Sequence, residues 1–162
     1  MRHILTSVVL VVLLFSSLAS GETVKWGDLI VREGLHYKKF TDVPFTGKIT
    51  GEFQGKLKNG KKEGPWVSYH ENGQLLSKFN YKNGKMEGPW VSHHDNGQLR
   101  SKGAYKDGKL EGPWVSYWSH GQLHWKGDYK DGKREGPWVL YNTDGTVDKL
   151  LTGIWKDGKR VK

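Results

Sequence analysis

The chain contains no cysteine, and it has only two methionines and five prolines. Without cysteine it cannot form a disulfide, a thiolate-ligated zinc site or a lipid attachment through an N-terminal cysteine. Acidic residues are also scarce, since 17 Asp and Glu stand against 26 Lys and Arg, which gives a formal net charge of +9. Because disulfides are excluded, stability must come from packing and strand pairing. The basic charge favours binding to anionic surfaces or acidic partners.

Long apolar runs are missing as well, except at the N-terminus. There, a basic start containing Arg2 precedes a charge-free apolar run that begins at Ile4 and ends in small residues. This order predicts a secretory signal peptide over residues 1–21, with cleavage after Ala19, and export to the periplasm or the extracellular space. The alternative is an uncleaved anchor in the inner membrane, because the run approaches the roughly 18 residues that span a bilayer.

The strongest pattern is an internal repeat. A block that begins Gly64-Pro65-Trp66 returns three times at a spacing of 24 residues. Self-similarity at a fixed period of this size indicates a repeat architecture. The repeated tryptophans are Trp66, Trp90, Trp114 and Trp138.

Each copy contains two turn signals. Asn-Gly and Asp-Gly pairs suit the positive φ angles of a type I′ turn, so a strand is predicted to reverse at each of them. The result is an all-β fold, an elongated open antiparallel meander of tandem 24-residue hairpins. One series of turns is Asn72-Gly73, Asn96-Gly97, His120-Gly121 and Asp144-Gly145; the other is Asn59-Gly60, Asn83-Gly84, Asp107-Gly108, Asp131-Gly132 and Asp157-Gly158.

The second strand of each hairpin alternates in polarity, which predicts one apolar face and one wet face. In the first regular copy the apolar set is Leu75, Ser77, Phe79 and Tyr81, and the polar set is Gln74, Leu76, Lys78 and Asn80.

The length of the first loop decides which residues of the preceding strand share the apolar face. A two-residue loop pairs His70 with Leu75 and Trp66 with Phe79, so that the tryptophans lie on the apolar face. A three-residue loop with a bulge would put Val67 and Tyr69 there instead. The two-residue loop is the predicted one, because it brings the largest side chains together.

The chain divides into a signal peptide over 1–21, N-terminal capping hairpins over 22–54, and tandem repeats over 55–162. The cap is predicted because terminal repeats have to shield an otherwise open stack. Its first hairpin would turn at Glu33-Gly34. At the other end, the turn signal around Asp157 comes two residues late, which predicts a small insertion near Leu150.

These motifs resemble a known family. Tyr81–Trp90 and Asp128–Gly136 resemble the MORN repeat in its bacterial variant form, and with Val43–Gly47 they are similar to the family of YwqK-like antitoxins. The resemblance covers nearly all of residues 28–162. It implies an elongated sheet of successive hairpins and the neutralisation of a protein toxin by direct binding, whereas eukaryotic MORN proteins dock to membranes and proteins.

A tryptophan stripe is the first candidate binding site. Equivalent residues of neighbouring repeats lie two strands apart, about 9.6 Å, so their rings are expected not to stack directly. Packing within the sheet is one interpretation; the other is an interaction surface, because a single-layer sheet leaves an aromatic stripe uncovered. The third copy adds two aromatics and is the predicted hot spot. The candidate binding residues are Trp66, Trp90, Trp114, Trp118, Trp125 and Trp138.

A basic edge is the second candidate. The Asn-Gly and Asp-Gly-Lys turns gather positive charge, while the opposite turns carry Glu71, Asp95 and Asp144. Lysines keep exposed turns soluble and discourage edge pairing; alternatively, they bind an anionic lipid head group, an envelope polymer or an acidic protein. The candidate residues are Lys61, Lys62, Lys85, Lys109, Lys133, Arg134, Lys159 and Arg160.

Catalysis and metal binding have little support. The repeated serines lack a matched base and acid, and no phosphate-binding loop is present. The histidines of equivalent turns lie nearly 10 Å apart, too far to share an ion without leaning together. We therefore predict a non-enzymatic protein without cofactor or metal that binds an unknown protein partner, with an anionic membrane surface as alternative and no nucleic acid or small-molecule substrate. A structural envelope spacer is the third alternative.

Overall fold

The computed structural model describes residues 21–162, so the predicted signal peptide over 1–21, apart from Gly21, lies outside the described residues. The described part forms sixteen strands and a one-turn 3-10 helix, Trp26–Asp28. The strands are β1 (Thr23–Lys25), β2 (Leu29–Arg32), β3 (Leu35–Lys38), β4 (Gly47–Thr50), β5 (Phe53–Lys58), β6 (Lys61–Tyr69), β7 (Leu75–Lys82), β8 (Lys85–Met86), β9 (Gly88–His93), β10 (Leu99–Lys106), β11 (Lys109–Leu110), β12 (Gly112–Tyr117), β13 (Leu123–Lys130), β14 (Lys133–Leu140), β15 (Gly153–Lys156) and β16 (Lys159–Arg160).

Fourteen of these strands form one open sheet in which the neighbours are β1-β4-β5-β6-β7-β9-β10-β12-β13-β14-β15-β16, with β8 and β11 paired to β7 and β10. From β4 onward every pairing is antiparallel, and only β1 pairs in parallel, with β4. Strands β2 and β3 form a separate hairpin. The predicted all-β meander is thereby confirmed.

The turns of the Asn-Gly and Asp-Gly-Lys series have the predicted two-residue geometry. At Asp107-Gly108, for example, φ is +51° and +82°, and Lys106 pairs with Lys109 across the turn. Positive φ at both central residues defines the type I′ turn, whose twist matches that of the flanking strands. Equivalent angles occur at residues 59–60, 83–84, 131–132 and 157–158, and also at the Glu33-Gly34 turn.

The other series of turns differs from the prediction. His70 exchanges backbone hydrogen bonds with the far side of the loop: its N–H donates to Gln74 O (2.8 Å), and its carbonyl accepts from the N–H of Gly73 (2.8 Å). His70 therefore lies opposite Gln74 and not Leu75, and the predicted two-residue loop is wrong. Asn72 keeps a negative φ because its side-chain oxygen accepts the Gln74 N–H (3.0 Å), so only Gly73 has a positive φ.

A bulge in the next strand restores the register. Leu75 pairs with Tyr69, Leu76 is left without a partner residue, and Trp66 then pairs with Phe79 as predicted. Since Leu75 pairs with Tyr69, it shares the face opposite to Trp66, and its predicted place on the tryptophan face is wrong. The extra residue in the loop shifts the strand register by one position, and the extra residue in the bulge shifts it back.

The N-terminal end of the sheet contains the main buried cluster of aliphatic and aromatic side chains. The β2–β3 hairpin is held against the Asn59-Gly60 turn, because the His36 N–H donates to Gly60 O (2.9 Å). The Phe45 N–H in turn donates to His36 O (2.9 Å). The cluster consists of Val24, Phe45, Ile49, Leu57 and Trp66.

The C-terminal end is irregular. Strand β15 has only four residues, and the segment between Leu140 and Gly153 contains an additional turn in which Asp148 Oδ1 accepts the N–H groups of Leu150 and Leu151 (2.8 and 3.0 Å). This turn is the predicted insertion near Leu150.

Candidate functional site on the two faces of the sheet

One row of residues crosses the sheet at right angles to the strands and contains all four repeated tryptophans. Tryptophans on one set of strands alternate with glycines on the strands between, and a phenylalanine replaces glycine once. We call the side of the sheet that carries this row the aromatic face. The row reads Gly55, Trp66, Phe79, Trp90, Gly103, Trp114, Gly127, Trp138 and Gly153.

Three of the tryptophan rings lie flat on a glycine of a neighbouring strand. A Cβ atom on that glycine would approach the ring to 2.1 Å at Gly55 and Trp66, 2.0 Å at Gly103 and Trp114, and 2.3 Å at Gly127 and Trp138. The rings cover backbone and are themselves covered: Trp66 is 1 % exposed, Trp138 0 % and Trp114 8 %. The expectation of an uncovered stripe in a single-layer sheet is wrong for these three positions.

Trp90 is the exception, because Phe79 stands where the other copies have glycine. Its ring cannot lie down on that neighbour, remains half-buried, and stacks on Trp114 with the centroids 4.9 Å apart and the planes at 19°. The expectation that rings of neighbouring repeats cannot stack is therefore wrong for this pair. Gly103 between them leaves the space that allows the two rings to meet.

Lys62 lies on the aromatic face and not on the predicted basic edge. Burial lowers the pKa of Lys62 from its usual 10.5, while ring faces surround its ammonium. The Nζ atom is within 4.6–5.3 Å of the centroids of four rings, those of Trp26, Phe53, Trp66 and Tyr81.

Arg134 occupies the equivalent place in the last copy. Its guanidinium lies 4.4 Å from the ring of Trp138 and 4.7 Å from that of Trp155. The two middle copies have Met86 and Leu110 at this position. Lys62 and Arg134 thus lie at the two ends of the aromatic face. Met86 and Leu110, which are apolar, occupy the equivalent positions between them.

The other predicted basic residues lie along one edge of the sheet. The stems of four lysines lie beside the glycine of the next type I′ turn: a Cβ atom on Gly84 would be 3.7 Å from the Lys61 side chain, and one on Gly158 would be 3.5 Å from that of Lys133. Glutamates alternate with these lysines along the edge, and each caps the next turn. Glu87 Oε2, for example, accepts the Asp107 N–H (2.9 Å). Lys85 and Lys109 pack in the same way, and Glu63, Glu111 and Glu135 cap the equivalent turns.

At the C-terminal end of this edge, Arg160 folds back on the chain, since its guanidinium donates to the carbonyls of Leu150 and Thr152. Lys159 remains exposed beside the last turn. The edge is thus a ladder in which the charged side chains hold adjacent turns together, and the ammonium groups still reach solvent.

The opposite turns are held together by a second ladder. His70 Nε2 lies 3.1 Å from His93 O, His94 Nε2 lies 2.9 Å from Tyr117 O, and Trp118 Nε1 donates to Tyr141 O (3.3 Å). Trp118 therefore takes the structural place that histidine has in the earlier copies. Within residues 21–162, no three His, Asp or Glu side chains come together in a way that could hold a metal ion.

The two additional tryptophans of the third copy have separate surroundings. The ring of Trp118 packs on His124 with the centroids 3.7 Å apart, and burial lowers the pKa of His124. Trp125 lies on the aromatic face, half-buried, with its ring 5.2 Å from that of Trp138. The two rings therefore do not stack on each other within residues 21–162.

A row of buried serines runs beside the tryptophan row. Ser68 and Ser77 share a hydrogen bond (2.6 Å), and Ser101 donates to Ser116 (3.1 Å). Ser92, between these pairs, has a buried hydroxyl without a partner among the described residues. The repeated serines therefore form a buried row in which neighbouring strands share hydroxyl hydrogen bonds, with Ser92 as the exception.

The opposite face of the sheet carries a groove of about 920 Å³. On its floor, each valine of one strand pairs with a lysine of the next, and exposed prolines form the adjacent row. We call it the valine–lysine groove. Its defining residues are Val91, Val115, Val139, Pro89, Pro113, Pro137, Lys78, Lys102 and Lys126.

The prediction that this face is simply wet is wrong. Its signal was present in the sequence: in Gly-Pro-Trp-Val-Ser, proline and valine alternate with tryptophan and serine, so every second strand has apolar residues on both faces. The lysines of the intervening strands add positive charge between the valines. Asp128 is the one acidic residue among those that line the groove.

Comparison with known proteins agrees with this geometry. The sequence model of the MORN repeat variant matches residues 62–83 and 86–107, which therefore form two repeats of this type. Repeats of this family are in general non-catalytic modules that bind proteins or membranes. No curated protein matches the chain. No helix of residues 21–162 is sufficiently long and apolar to cross a membrane.

Proposed function

We propose that the protein is a non-catalytic repeat module that binds a protein partner in the valine–lysine groove. The groove itself carries the proposal: about 920 Å³ of open space above half-buried valines and exposed prolines, with no other element of residues 21–162 covering it. An open, largely apolar concavity with a few polar groups is the usual form of a binding site. Burial of its floor would supply most of the binding free energy.

The aromatic face is the second candidate surface for the same partner. Trp66 and Trp138 have almost no exposed area there, so a contact role falls to the half-buried Trp90 and Trp125 and to the edge of Trp114. These rings border a smaller depression of about 450 Å³. We rank this depression below the groove because most of its aromatic area is already used for packing within the sheet.

The finer proposal is an exported, antitoxin-like binder that holds its partner in the periplasm or outside the cell. Its support is in the sequence: the basic start, apolar run and small residues of 1–21, and the resemblance to the YwqK-like antitoxins. Sequestration of a protein needs only a stable complementary surface, and neither a cofactor nor a metal ion enters the proposal.

A matched pair of variants tests which face binds. Val91→Thr with Val115→Thr keeps β-branched side chains in the groove but adds hydroxyl groups. Met86→Thr with Leu110→Thr makes a similar change on the aromatic face. Quantitative mass spectrometry of proteins recovered from the envelope fraction should show one protein that is enriched with the wild type and retained by the aromatic-face variant.

The groove variant should lose that protein, with an affinity lowered about tenfold for a purified complex. Circular dichroism must show that both variants remain folded. Loss with the aromatic-face variant alone would move the site to the other face. Equal enrichment of that protein with the wild type and both variants would contradict binding at either face, and the absence of any enriched protein would favour the structural spacer.

Attachment to an anionic membrane or polymer through the basic edge is a second function, favoured by the regular row of exposed ammonium groups of Lys61, Lys85, Lys109 and Lys133. Such attachment should weaken steeply as ionic strength rises, whereas apolar docking should persist. Sedimentation with anionic vesicles at low and high salt separates the two functions.

A further inference from the structure

We infer that the valine–lysine groove recognises an extended acidic peptide segment in the polyproline II conformation, with an acidic side chain at every third residue. This inference rests on the proposed function, because it specifies the partner of the same groove. The charge of the groove, the spacing of its lysines and the shape of its floor support it separately.

The groove has a net positive charge, because three lysines line it and Asp128 is the one acidic residue among its lining residues. Lys78, Lys102 and Lys126 are exposed, and within residues 21–162 none of their ammonium groups has an ion-pair or hydrogen-bond partner. The lysines of the basic edge differ, since their stems pack on turn glycines and glutamates alternate with them. Three positive charges in line above an apolar floor favour a ligand that carries negative charge.

The spacing of these lysines selects the conformation of the ligand. Lys78, Lys102 and Lys126 lie on alternate strands of the sheet, so they are about 9.6 Å apart along its long axis. A polyproline II chain rises about 3.1 Å per residue with three residues per turn, so every third side chain returns to the same side after about 9.3 Å.

Other regular conformations fit less well. In a β-strand, side chains of one face recur at about 6.7 Å and again at about 13 Å, and neither value matches the lysines. An α-helix returns to the same face after seven residues, about 10.5 Å, and this excess accumulates from one lysine to the next. The polyproline II repeat stays in register across all three.

The floor suits such a chain. Between successive lysines, the groove offers a valine on one row and a proline on the next, as with Val115 and Pro113. Apolar side chains at the remaining positions of the ligand would lie there. A polyproline II chain forms no internal hydrogen bonds and keeps its backbone solvated, which requires a groove that is open to water.

Two synthetic peptides of about twelve residues provide the test. The first has glutamate at every third position, with proline and valine between; the second has the same composition with its glutamates gathered at one end. Fluorescence anisotropy with the full chain should show that the spaced peptide binds about tenfold tighter, since each correctly placed charge pair at an exposed site contributes a small increment.

Two triple variants with equal charge locate the effect. Lys78→Gln, Lys102→Gln and Lys126→Gln should abolish the preference for the spaced peptide. Lys85→Gln, Lys109→Gln and Lys133→Gln, on the basic edge, should preserve it. An absent preference in the wild type, or its loss in both triple variants, would overturn the inference, because attraction would then be general and not set by the groove.

The failures of the two proposals remain distinguishable. If the Val91→Thr and Val115→Thr variant loses the natural partner while substitution of the groove lysines leaves peptide affinity unchanged, the groove binds a protein, but it does not recognise acidic side chains at every third residue. If anionic vesicles bind the wild type and not the groove triple variant, and the spaced peptide does not bind, the ligand is lipid and the inference is wrong.

Discussion

Trp114 lies flat across the backbone of Gly103, so closely that a Cβ atom on the glycine would be 2.0 Å from the ring atom Cε3. The two residues belong to adjacent strands of a sheet that has one layer, and no second layer formed by residues 21–162 buries the ring. The glycine provides the space that an opposing sheet would otherwise provide, and the ring shields the exposed backbone of the glycine. The same relationship explains why Trp66 and Trp138 are fully buried.

Gly103→Ala should therefore destabilise the protein. The added methyl group must push the ring of Trp114 off the sheet, and overpacking of this kind costs about 1–3 kcal/mol. Thermal unfolding should shift down by about 2–4 °C per kcal/mol. Gly27→Ala is the matched control, because no atom lies within 4 Å of a Cβ there, and it should leave the melting temperature nearly unchanged. Equal melting temperatures for the two variants would contradict the close contact.

Phe79→Gly should convert the odd copy into a regular one. With glycine at 79, the ring of Trp90 can lie on its neighbour as Trp114 does, and the stacking of Trp90 on Trp114 should be lost. Stacked indoles give an exciton couplet in the circular dichroism spectrum. In Phe79→Gly the couplet should be weaker than in the wild type and equal to that of Trp90→Phe, a variant that lacks the Trp90–Trp114 indole pair. An unchanged couplet in Phe79→Gly would show that Phe79 does not set the orientation of Trp90.

The surroundings of Lys62 predict a pH dependence. Burial lowers the pKa of Lys62 in the folded state below its usual 10.5, so between the lowered value and 10.5 the unfolded chain binds more protons than the folded chain. The contribution of this group to stability therefore rises with pH through that window. Lys62→Met copies the residue of the next repeat and does not titrate at this position.

Melting temperatures of the wild type and Lys62→Met, measured from neutral pH to pH values near 10.5, supply the comparison. The difference should change in favour of the wild type as pH rises; the tyrosines present in both proteins cancel, except Tyr81, whose hydroxyl lies 3.5 Å from Lys62 Nζ, so the comparison is repeated in a Tyr81→Phe background. A constant difference would mean that attraction of the ammonium to the four rings offsets its burial.

The sequence was sufficient for most of the fold because the decisive interactions are local. Asp107-Gly108 and its equivalents set two-residue type I′ turns by their own backbone preferences, and the period of 24 residues then places each tryptophan in one row. Trp66 pairs with Phe79 as the repeat predicts, because the additional residue of the loop at Gly73 and the additional residue of the bulge at Leu76 shift the register in opposite directions.

The surfaces could not be predicted in the same way, because they depend on contacts between strands. Whether Trp138 is buried depends on Gly127, eleven residues earlier, and the spacing that connects them appears only when the register is known. The position of Lys62 beside a turn predicts a place on the basic edge, yet the pleat of β6 directs it to the aromatic face. Alternation of Pro65 and Val67 with Trp66 was visible and indicated the second apolar face.

Trp118 separates a structural role from a binding role. It occupies the position of His70 and His94, and like them it forms a hydrogen bond from a ring nitrogen to a carbonyl of the following turn, in this case Tyr141 O. Trp118→His preserves a donor at this position and should keep the melting temperature within about 2 °C, whereas Trp118→Ala removes the donor and should lower it by about 2–4 °C for roughly 1 kcal/mol. If Trp118 serves only the ladder, Trp118→His should also bind the partner with unchanged affinity. A partner affinity that decreases in Trp118→His, at an unchanged melting temperature, would instead assign the indole a contact in the complex, because the lost packing on His124 would then not have affected the fold.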